Sequence, residues 1–139
     1  MSHTVETIQT IYQAFGRGDI PAILALLSPD VRWEDWADNT AQRSGVPTLQ
    51  ARRGPDGVMQ FFGEAAKMQI HEFKVLDVFG GERQVAAEVL IDFTVPTTGA
   101  RVRDEELHLW TFSADGKIAR VRHYVDTAKH QHAHGLAAA

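Results

Sequence analysis

Apolar positions in the first half of the chain recur at the spacing of amphipathic helices. Ile8, Ile11 and Phe15 repeat every three or four residues, which predicts a first helix. Asp19 has the character of an N-cap and predicts a second helix directly after it. A turn-forming run at residues 54–57 leads into an apolar stretch, which predicts a third helix.

The second half of the chain is rich in β-branched and aromatic residues. It predicts strands at 73–79, 84–95, 101–112 and 118–125, each separated from the next by glycine-containing turns. A short strand at 31–36 and a long polar loop at 37–53 lie between the second and third helices. Helices followed by hairpin-connected strands predict an α+β domain, with three N-terminal helices on an antiparallel sheet. A strongly curved sheet closed by helices would form a cone with one open end.

Composition and charge narrow the possible partners. A chain of 139 residues that is 44% hydrophobic predicts one globular domain with its own core. The net charge is −4 and no basic block occurs, so neither nucleic acid nor an anionic membrane is an expected partner. The absence of cysteine excludes disulfides and a thiol nucleophile. Without a signal-peptide pattern or a long apolar stretch, the expectation is a cytoplasmic protein.

The C-terminal residues carry no core pattern. We therefore expect a single domain over residues 1–128 and a flexible tail over 129–139. His130, His132 and His134 alternate in this tail. A structural metal site needs ligands held by folded elements, so no metal site is predicted here.

Three polar residues fall on strand faces that are otherwise apolar. Because side chains alternate along a strand, each shares its face with a hydrophobic neighbour. The pairs are Asp35 with Trp33, His108 with Trp110, and His123 with Val121. Such polar groups are costly to bury unless they bond to one another or to a ligand. With Tyr12 and Phe61, they predict a pocket for a small hydrophobic molecule.

A structural role is the alternative for each of these polar groups. Asp35 would then make turn hydrogen bonds, and both histidines would bond to backbone carbonyls. Glu105 and Glu106 are expected to form cross-strand ion pairs with the arginines at 101 and 103. The other possibility for Glu106 is that it lines the site.

Three segments resemble a known family. They are YQAFGRGDIPAILALLSPDVRWED, RGPDGVMQFF and WTFSADGKIARVRHYVDT. They look like the NTF2-like superfamily, in particular its SnoaL-like and ketosteroid-isomerase-like branches. The resemblance implies a cone-shaped fold and a homodimer that pairs through the outer sheet face, where Trp36, Leu90 and Tyr124 would lie.

The resemblance also implies roles for individual residues. Asp35 stands where the steroid isomerases have their general base, and His108 stands where they have an oxyanion donor. His123 stands where related cyclases and hydrolases have a catalytic aspartate. The remaining arginine and aspartate of the epoxide hydrolases fall on Val89 and Ile91, so that reaction is not expected. The isomerases' tyrosine on the first helix aligns one residue before Tyr12.

Two functions follow from this combination. The first is a cofactor-free isomerase, lyase or cyclase that removes a proton next to a carbonyl, with Asp35 as base, His108 as electrophilic donor and His123 as a second acid or base. The second is a non-catalytic module that binds a hydrophobic ligand or serves assembly.

Overall fold

The computed structural model describes residues 3–35 and 38–136. Within these ranges the helices are α1 (Thr4–Gly16), α2 (Ile20–Leu24), α3 (Thr40–Ser44), α4 (Gly54–Ala65) and α5 (Thr127–Ala133). The strands are β1 (Leu27–Trp33), β2 (Arg52–Arg53), β3 (Gln69–Gly80), β4 (Gln84–Thr94), β5 (Arg101–Phe112) and β6 (Ile118–Tyr124). None of the described helices has the length and apolar character needed to cross a membrane.

The six strands form one open sheet in the order β2-β1-β6-β5-β4-β3. Neighbours run antiparallel except β1 and β6, which run parallel. The α+β fold is therefore confirmed, whereas the purely antiparallel sheet is wrong. Hairpin turns specify the pairing of consecutive strands from β3 through β6. Strand β1 is joined to the sheet through helical connections, which carry no such signal.

The main core lies between the sheet and helices α1, α2 and α4. Its largest fully buried side chain is Trp33, and Ile8 and Ile23 face it from the helices. Asp19 caps α2 by accepting a hydrogen bond from the Ala22 N–H at 3.2 Å, as the sequence predicted. Local capping and the apolar faces therefore set the helices against the sheet.

The β3–β4 hairpin depends on a glycine. Gly80 has φ of 156°, and a Cβ at this position would overlap the backbone of Gln84 and Val85. Only glycine fits so close an approach. The turn therefore helps to fix the register of β4 against β3, where Gly80 pairs with Val85.

Two segments are more ordered than the sequence indicated. The expected loop contains α3 and a 3-10 turn (Pro47–Leu49), and α3 is capped by Asn39, which accepts from the Gln42 N–H at 2.9 Å. Helix α5, whose N-cap is Asp126, covers residues 129–133 of the expected flexible tail. Trp36, which the resemblance placed on the pairing face, lies outside the described residues.

Candidate active site

Two adjoining cavities lie between the helices and the sheet. The outer cavity has a volume of about 90 Å³ and the inner one about 60 Å³, and both are partly open to solvent. Both are bordered by Phe15, Phe61, Phe73, His108 and His123. The two imidazoles therefore stand where the cavities meet, in surroundings that are otherwise mainly apolar.

His123 is held by a buried glutamate. Glu34 is completely buried, and its Oε1 lies 2.7 Å from His123 Nδ1 and also accepts the backbone N–H of His123. Because a carboxylate only accepts hydrogen bonds, Nδ1 carries the proton of the neutral imidazole. Nε2 is then the basic nitrogen, and it makes no hydrogen bond with any residue that the structure describes.

The inward position of Glu34 follows from its backbone. Strand β1 ends at Trp33, and Glu34 has φ of 59°, in the left-handed region. Its N–H donates to Val121 O at 3.0 Å, while the Gln42 side chain donates to its carbonyl at 2.8 Å. The alternation of the strand is therefore broken at Glu34, and its carboxylate points to His123.

Asp35 consequently does not face the cavities. Its side chain is 28% exposed and lies 3.4 Å from Arg32 and 3.6 Å from Arg120. The expectation that Asp35 shares the inner face with Trp33 is wrong, because the strand stops before the residue. Glu34, which the strand pattern assigned to the outer face, takes the inner position.

His108 belongs to a closed hydrogen-bond network. Its Nδ1 lies 2.6 Å from the Tyr12 hydroxyl, and its Nε2 lies 2.7 Å from Glu106 Oε1. The Trp110 Nε1–H donates to the same hydroxyl at 3.1 Å. The hydrogen bonds are complementary if Tyr12 donates to Nδ1 and Nε2–H donates to Glu106. Both nitrogens of His108 are therefore occupied.

The two histidines differ in their affinity for a proton. Burial lowers the pKa of His123, but the hydrogen bond and charge of Glu34 outweigh burial, so this pKa lies above its usual value. Burial and the nearby His123 keep the pKa of His108 below its usual value despite Glu106. The ring centroids are 4.3 Å apart, so two cations here would repel strongly. Of these two rings, it is therefore His123 that binds a proton.

Tyr12 and Glu106, the two acidic groups bonded to His108, have pKa values that are shifted in opposite directions. Burial raises the pKa of Tyr12 well above its usual value, so the phenol remains protonated. Burial also raises the pKa of Glu106, but the hydrogen bond and charge of His108 outweigh it and the net shift is downward. Glu106 is therefore ionised at neutral pH.

Most of the predicted lining residues meet at the inner cavity. The structure places Tyr12, Trp33, Phe61 and Trp110 there. Phe61 and Trp33 each have ring centroids 5.5 Å from that of His123. Val121 borders neither cavity; it is fully buried in the core, paired with Trp33 in the sheet.

The role first expected for Glu106 is wrong, because it lines the outer cavity instead of pairing with arginine. Arg101 and Arg103 bind Asp92 at 2.8 Å and 2.9 Å. The strand alternation of β5 already put Glu106 on the face of His108, so that signal was present in the sequence.

His130 is a site residue that the sequence pattern did not indicate. It lies on α5, is 4% exposed, and lines the outer cavity beside Glu106. The capping residue Asp126, followed by residues that favour helix, was the available signal for α5. Among the described residues, no group of three or more histidine, aspartate or glutamate side chains is arranged to hold a metal ion.

Comparison with known proteins agrees with this architecture. The SnoaL-like domain family matches residues 8–121. No curated protein matches the chain. An NTF2-like protein from Burkholderia thailandensis has 22% identity and a TM-score of 0.80, covering 96% of this chain and 98% of its own.

Two further structures of similar fold contain small hydrophobic ligands. TerC, co-crystallised with polyporic acid, has 22% identity and a TM-score of 0.73, covering 95% of this chain and 98% of its own. A Mycobacterium tuberculosis protein in complex with estradiol-17β-hemisuccinate has 19% identity and a TM-score of 0.67, covering 89% and 94%. Other structures of this fold are of cyclase, isomerase and epoxide hydrolase/cyclase-like proteins. At these identities, the likeness establishes the fold.

Proposed function

Because this chain belongs to the SnoaL-like domain family, we propose that its two cavities form the active site of a cofactor-free enzyme. The reaction is removal of a proton next to a carbonyl group of a small hydrophobic substrate. One observation carries the proposal: the buried Glu34 carboxylate bonds to His123 Nδ1 and leaves Nε2 as the basic nitrogen at an apolar cavity.

His123 is the general base of the proposed reaction. Its Nε2 takes the proton, the carbon–hydrogen bond breaks, and the electron pair moves onto the carbonyl oxygen as an enolate forms. Glu34 holds the ring in the required tautomer and stabilises the imidazolium, as a carboxylate does beside a catalytic histidine. Return of the proton to a different carbon completes an isomerisation, and loss of a leaving group completes an elimination.

His108 is a positioning residue in this proposal. Tyr12 and Glu106 occupy its two nitrogens, so donation to a substrate would require one of these bonds to break. A neutral His108 beside His123 also limits the charge at the centre of the site. Its network therefore gives the base a fixed and uncharged neighbour.

The substrate class is a small hydrophobic ring compound. Aromatic side chains border both cavities, and rings pack well against such surfaces. The ligands of the two ligand-bound relatives support the same class for this chain. The inner cavity, bordered by Trp33 and Trp110, has a volume of about 60 Å³, and the outer cavity, at about 90 Å³, is the larger of the two spaces for a ring.

A non-catalytic ligand-binding module is the second candidate. The observation in its favour is the closed network around His108, in which every polar group of Tyr12, Trp110 and the imidazole is already bonded within the protein. Such a network stabilises a cavity wall without taking part in chemistry.

We also propose that two copies pair through the outer face of the sheet, where Tyr124 is 40% exposed. Large exposed apolar side chains on a sheet favour association. Light scattering at high protein concentration is expected to give the mass of a dimer, and a monomer there would contradict the pairing.

Deuterium exchange tests the proposed reaction directly. In D₂O, wild-type protein is expected to accelerate exchange of the α-protons of cyclic ketones such as 1-tetralone, followed by proton NMR. His123→Ala removes the base, so the rate is expected to fall by about 10²–10⁴-fold. His132→Ala, an exposed histidine on α5, is the matched control and is expected to keep the wild-type rate.

Two results would count against catalysis. If His123→Ala retains the wild-type rate, this residue is not the base. If ketones that bind are not exchanged faster than in buffer, the non-catalytic module is favoured.

A further inference from the structure

His130 is a buried imidazole at the outer cavity with neither nitrogen in a hydrogen bond with a described residue. It is 4% exposed. Glu106 Oε2 lies 3.9 Å from its Nε2, which is beyond hydrogen-bond distance. On its other side the ring packs near Phe93, with the centroids 5.7 Å apart. The ring therefore borders an apolar cavity while both of its nitrogens are covered by neighbouring atoms and unbonded.

An unsatisfied buried imidazole is costly. A buried donor or acceptor loses its hydrogen bonds to water and gains nothing in return. Buried polar groups in proteins are almost always bonded, so each exception indicates a missing partner. Here the exception borders a cavity, and a ligand in that cavity would supply the partner once the ring turns a nitrogen toward it.

The position of His130 is built by several separate contacts. Asp126 caps α5, Lys129 reaches Asp104 at 3.1 Å, and the Thr98 hydroxyl donates to Ala133 O. These contacts tie α5 to strand β5 and to the β4–β5 turn. The helix follows residues 8–121, the part of the chain that the SnoaL-like family matches.

We propose that His130 binds the oxygen atom of the ligand in the outer cavity and selects neutral, oxygen-bearing hydrophobic molecules. An imidazole N–H donates to a carbonyl or hydroxyl oxygen, which a hydrocarbon lacks. The Glu106 carboxylate at 3.9 Å would repel a ligand carboxylate at the same place. The site therefore favours a ketone or alcohol over both a hydrocarbon and a carboxylic acid.

The electrostatics of the site agree with a neutral imidazole. Burial lowers the pKa of His130, and His123 lowers it further, against the raising effect of the carboxylates of Glu106, Asp104 and Asp126. A neutral ring keeps one N–H for the ligand oxygen. It also carries no charge that would attract a carboxylate.

The inference deepens the proposed function, because the oxygen bound by His130 would be the carbonyl oxygen on which charge develops. The inference depends on the proposed function only for the effect of His130 on catalysis. The binding claim is tested separately, so that either can fail alone.

Three ligands of one skeleton provide the test. They are 1-tetralone, tetralin, and 1,2,3,4-tetrahydro-1-naphthoate, which differ only in bearing a carbonyl, nothing, or a carboxylate. Dissociation constants are measured by NMR titration of wild type, His130→Phe, His130→Asn and the exposed control His132→Phe. Wild type and the control are expected to bind the ketone about fivefold to tenfold tighter than tetralin, the value of one hydrogen bond, and the carboxylate more weakly than the ketone.

The variants separate a ligand contact from a structural role. His130→Phe is expected to lose the preference for ketone while keeping tetralin affinity within about twofold, because the ring shape is retained. His130→Asn restores an N–H donor and should recover part of the preference. In wild type, the ring ¹⁵N shifts of His130 should move with 1-tetralone and not with tetralin, a readout that needs no variant to fold.

The inference is overturned if His130→Phe keeps the full preference, if the carboxylate binds as tightly as the ketone, or if the ¹⁵N shifts ignore the ketone. A His130-dependent preference without any deuterium exchange would leave this inference standing and reject the proposed reaction. Deuterium exchange that depends on His123, together with ligand binding that does not depend on His130, would support the proposed reaction and reject this inference.

Discussion

His123 and His108 lie opposite each other on neighbouring strands, and each is bonded to a glutamate at 2.7 Å. Their surroundings are otherwise different. His108 is bonded through both nitrogens, whereas His123 is bonded through Nδ1 and has a basic Nε2 at the cavity. The Glu106–His108 pair, in which both imidazole nitrogens are bonded, is suited to holding the pocket in shape. The Glu34–His123 pair, in which Nε2 is available, is suited to exchanging a proton with a ligand.

A carboxylate–histidine pair does not define a catalytic base by itself. What matters is whether the second nitrogen is already bonded. Tyr12 makes that difference for His108, and no described residue does so for His123.

Glu34→Gln is expected to have the largest effect. A glutamine amide can donate to His123 Nδ1, which would place the ring proton on Nε2 and block the base. Deuterium exchange is expected to fall by about 10²-fold or more. In wild type, kcat/KM should rise with pH through an inflection above 6.5, because the base acts in its neutral form.

The pH profile of the same variant distinguishes a base-orienting role from simple loss of structure. Without the Glu34 charge, burial dominates, so the inflection is expected at lower pH. An unshifted inflection would show that Glu34 does not act on the titrating group.

Tyr12→Phe is expected to remove the hydrogen bond between residue 12 and His108 Nδ1. It leaves Trp110 Nε1 and His108 Nδ1 without their shared partner. The free energy of unfolding, measured in urea, should fall by about 1–3 kcal/mol. The other tyrosine gives the control: Tyr124→Phe keeps the ring near Arg122 and should change stability by less than about 0.5 kcal/mol. Equal effects of the two variants would contradict the structural role of the network.

The pH dependence of stability should show two separate limbs. His108 and His130 have lowered pKa values, so the unfolded chain binds more protons below pH 6.5 and stability falls on acidification. His123 has a raised pKa, so its contribution is present below pH 6.5 and is lost as pH rises through its folded value. Each group contributes at most about 1.4 kcal/mol per pH unit.

Two variants test which histidine produces the acid limb of the stability profile and which produces the alkaline limb. Urea unfolding across pH 5–9 should show a flatter acid limb in His130→Phe and a flatter alkaline limb in Glu34→Gln. Retention of both wild-type slopes in these variants would contradict the assignment.

Asp35→Asn should have the smallest effect. Asp35 is partly exposed and its ion pairs with Arg32 and Arg120 are longer than 3 Å. Such pairs contribute about 0–1 kcal/mol, and the exchange rate should stay within about twofold of wild type. As the neighbour of Glu34, it is the matched carboxylate control, and loss of exchange here would restore Asp35 as the base.

Regular strands made part of the site predictable. Strands β5 and β6 keep their alternation, so the positions of His108 and His123 on one inner face followed from counting residues. The same counting failed one residue past the end of β1, where the backbone turns at Glu34. It also missed His130, because α5 has too few apolar residues to show a helical period.

The sequence by itself determined helices α1, α2 and α4, the hairpin-connected strands and the α+β class, because these depend on local periodicity, caps and turn residues. It also placed two histidines on the inner face. Only the tertiary structure decided which carboxylate meets which imidazole, since Glu34 and His123 are 89 positions apart and meet through the parallel pairing of β1 with β6. Contacts between distant segments depend on strand order and on where each strand ends, and neither leaves a local pattern in the chain.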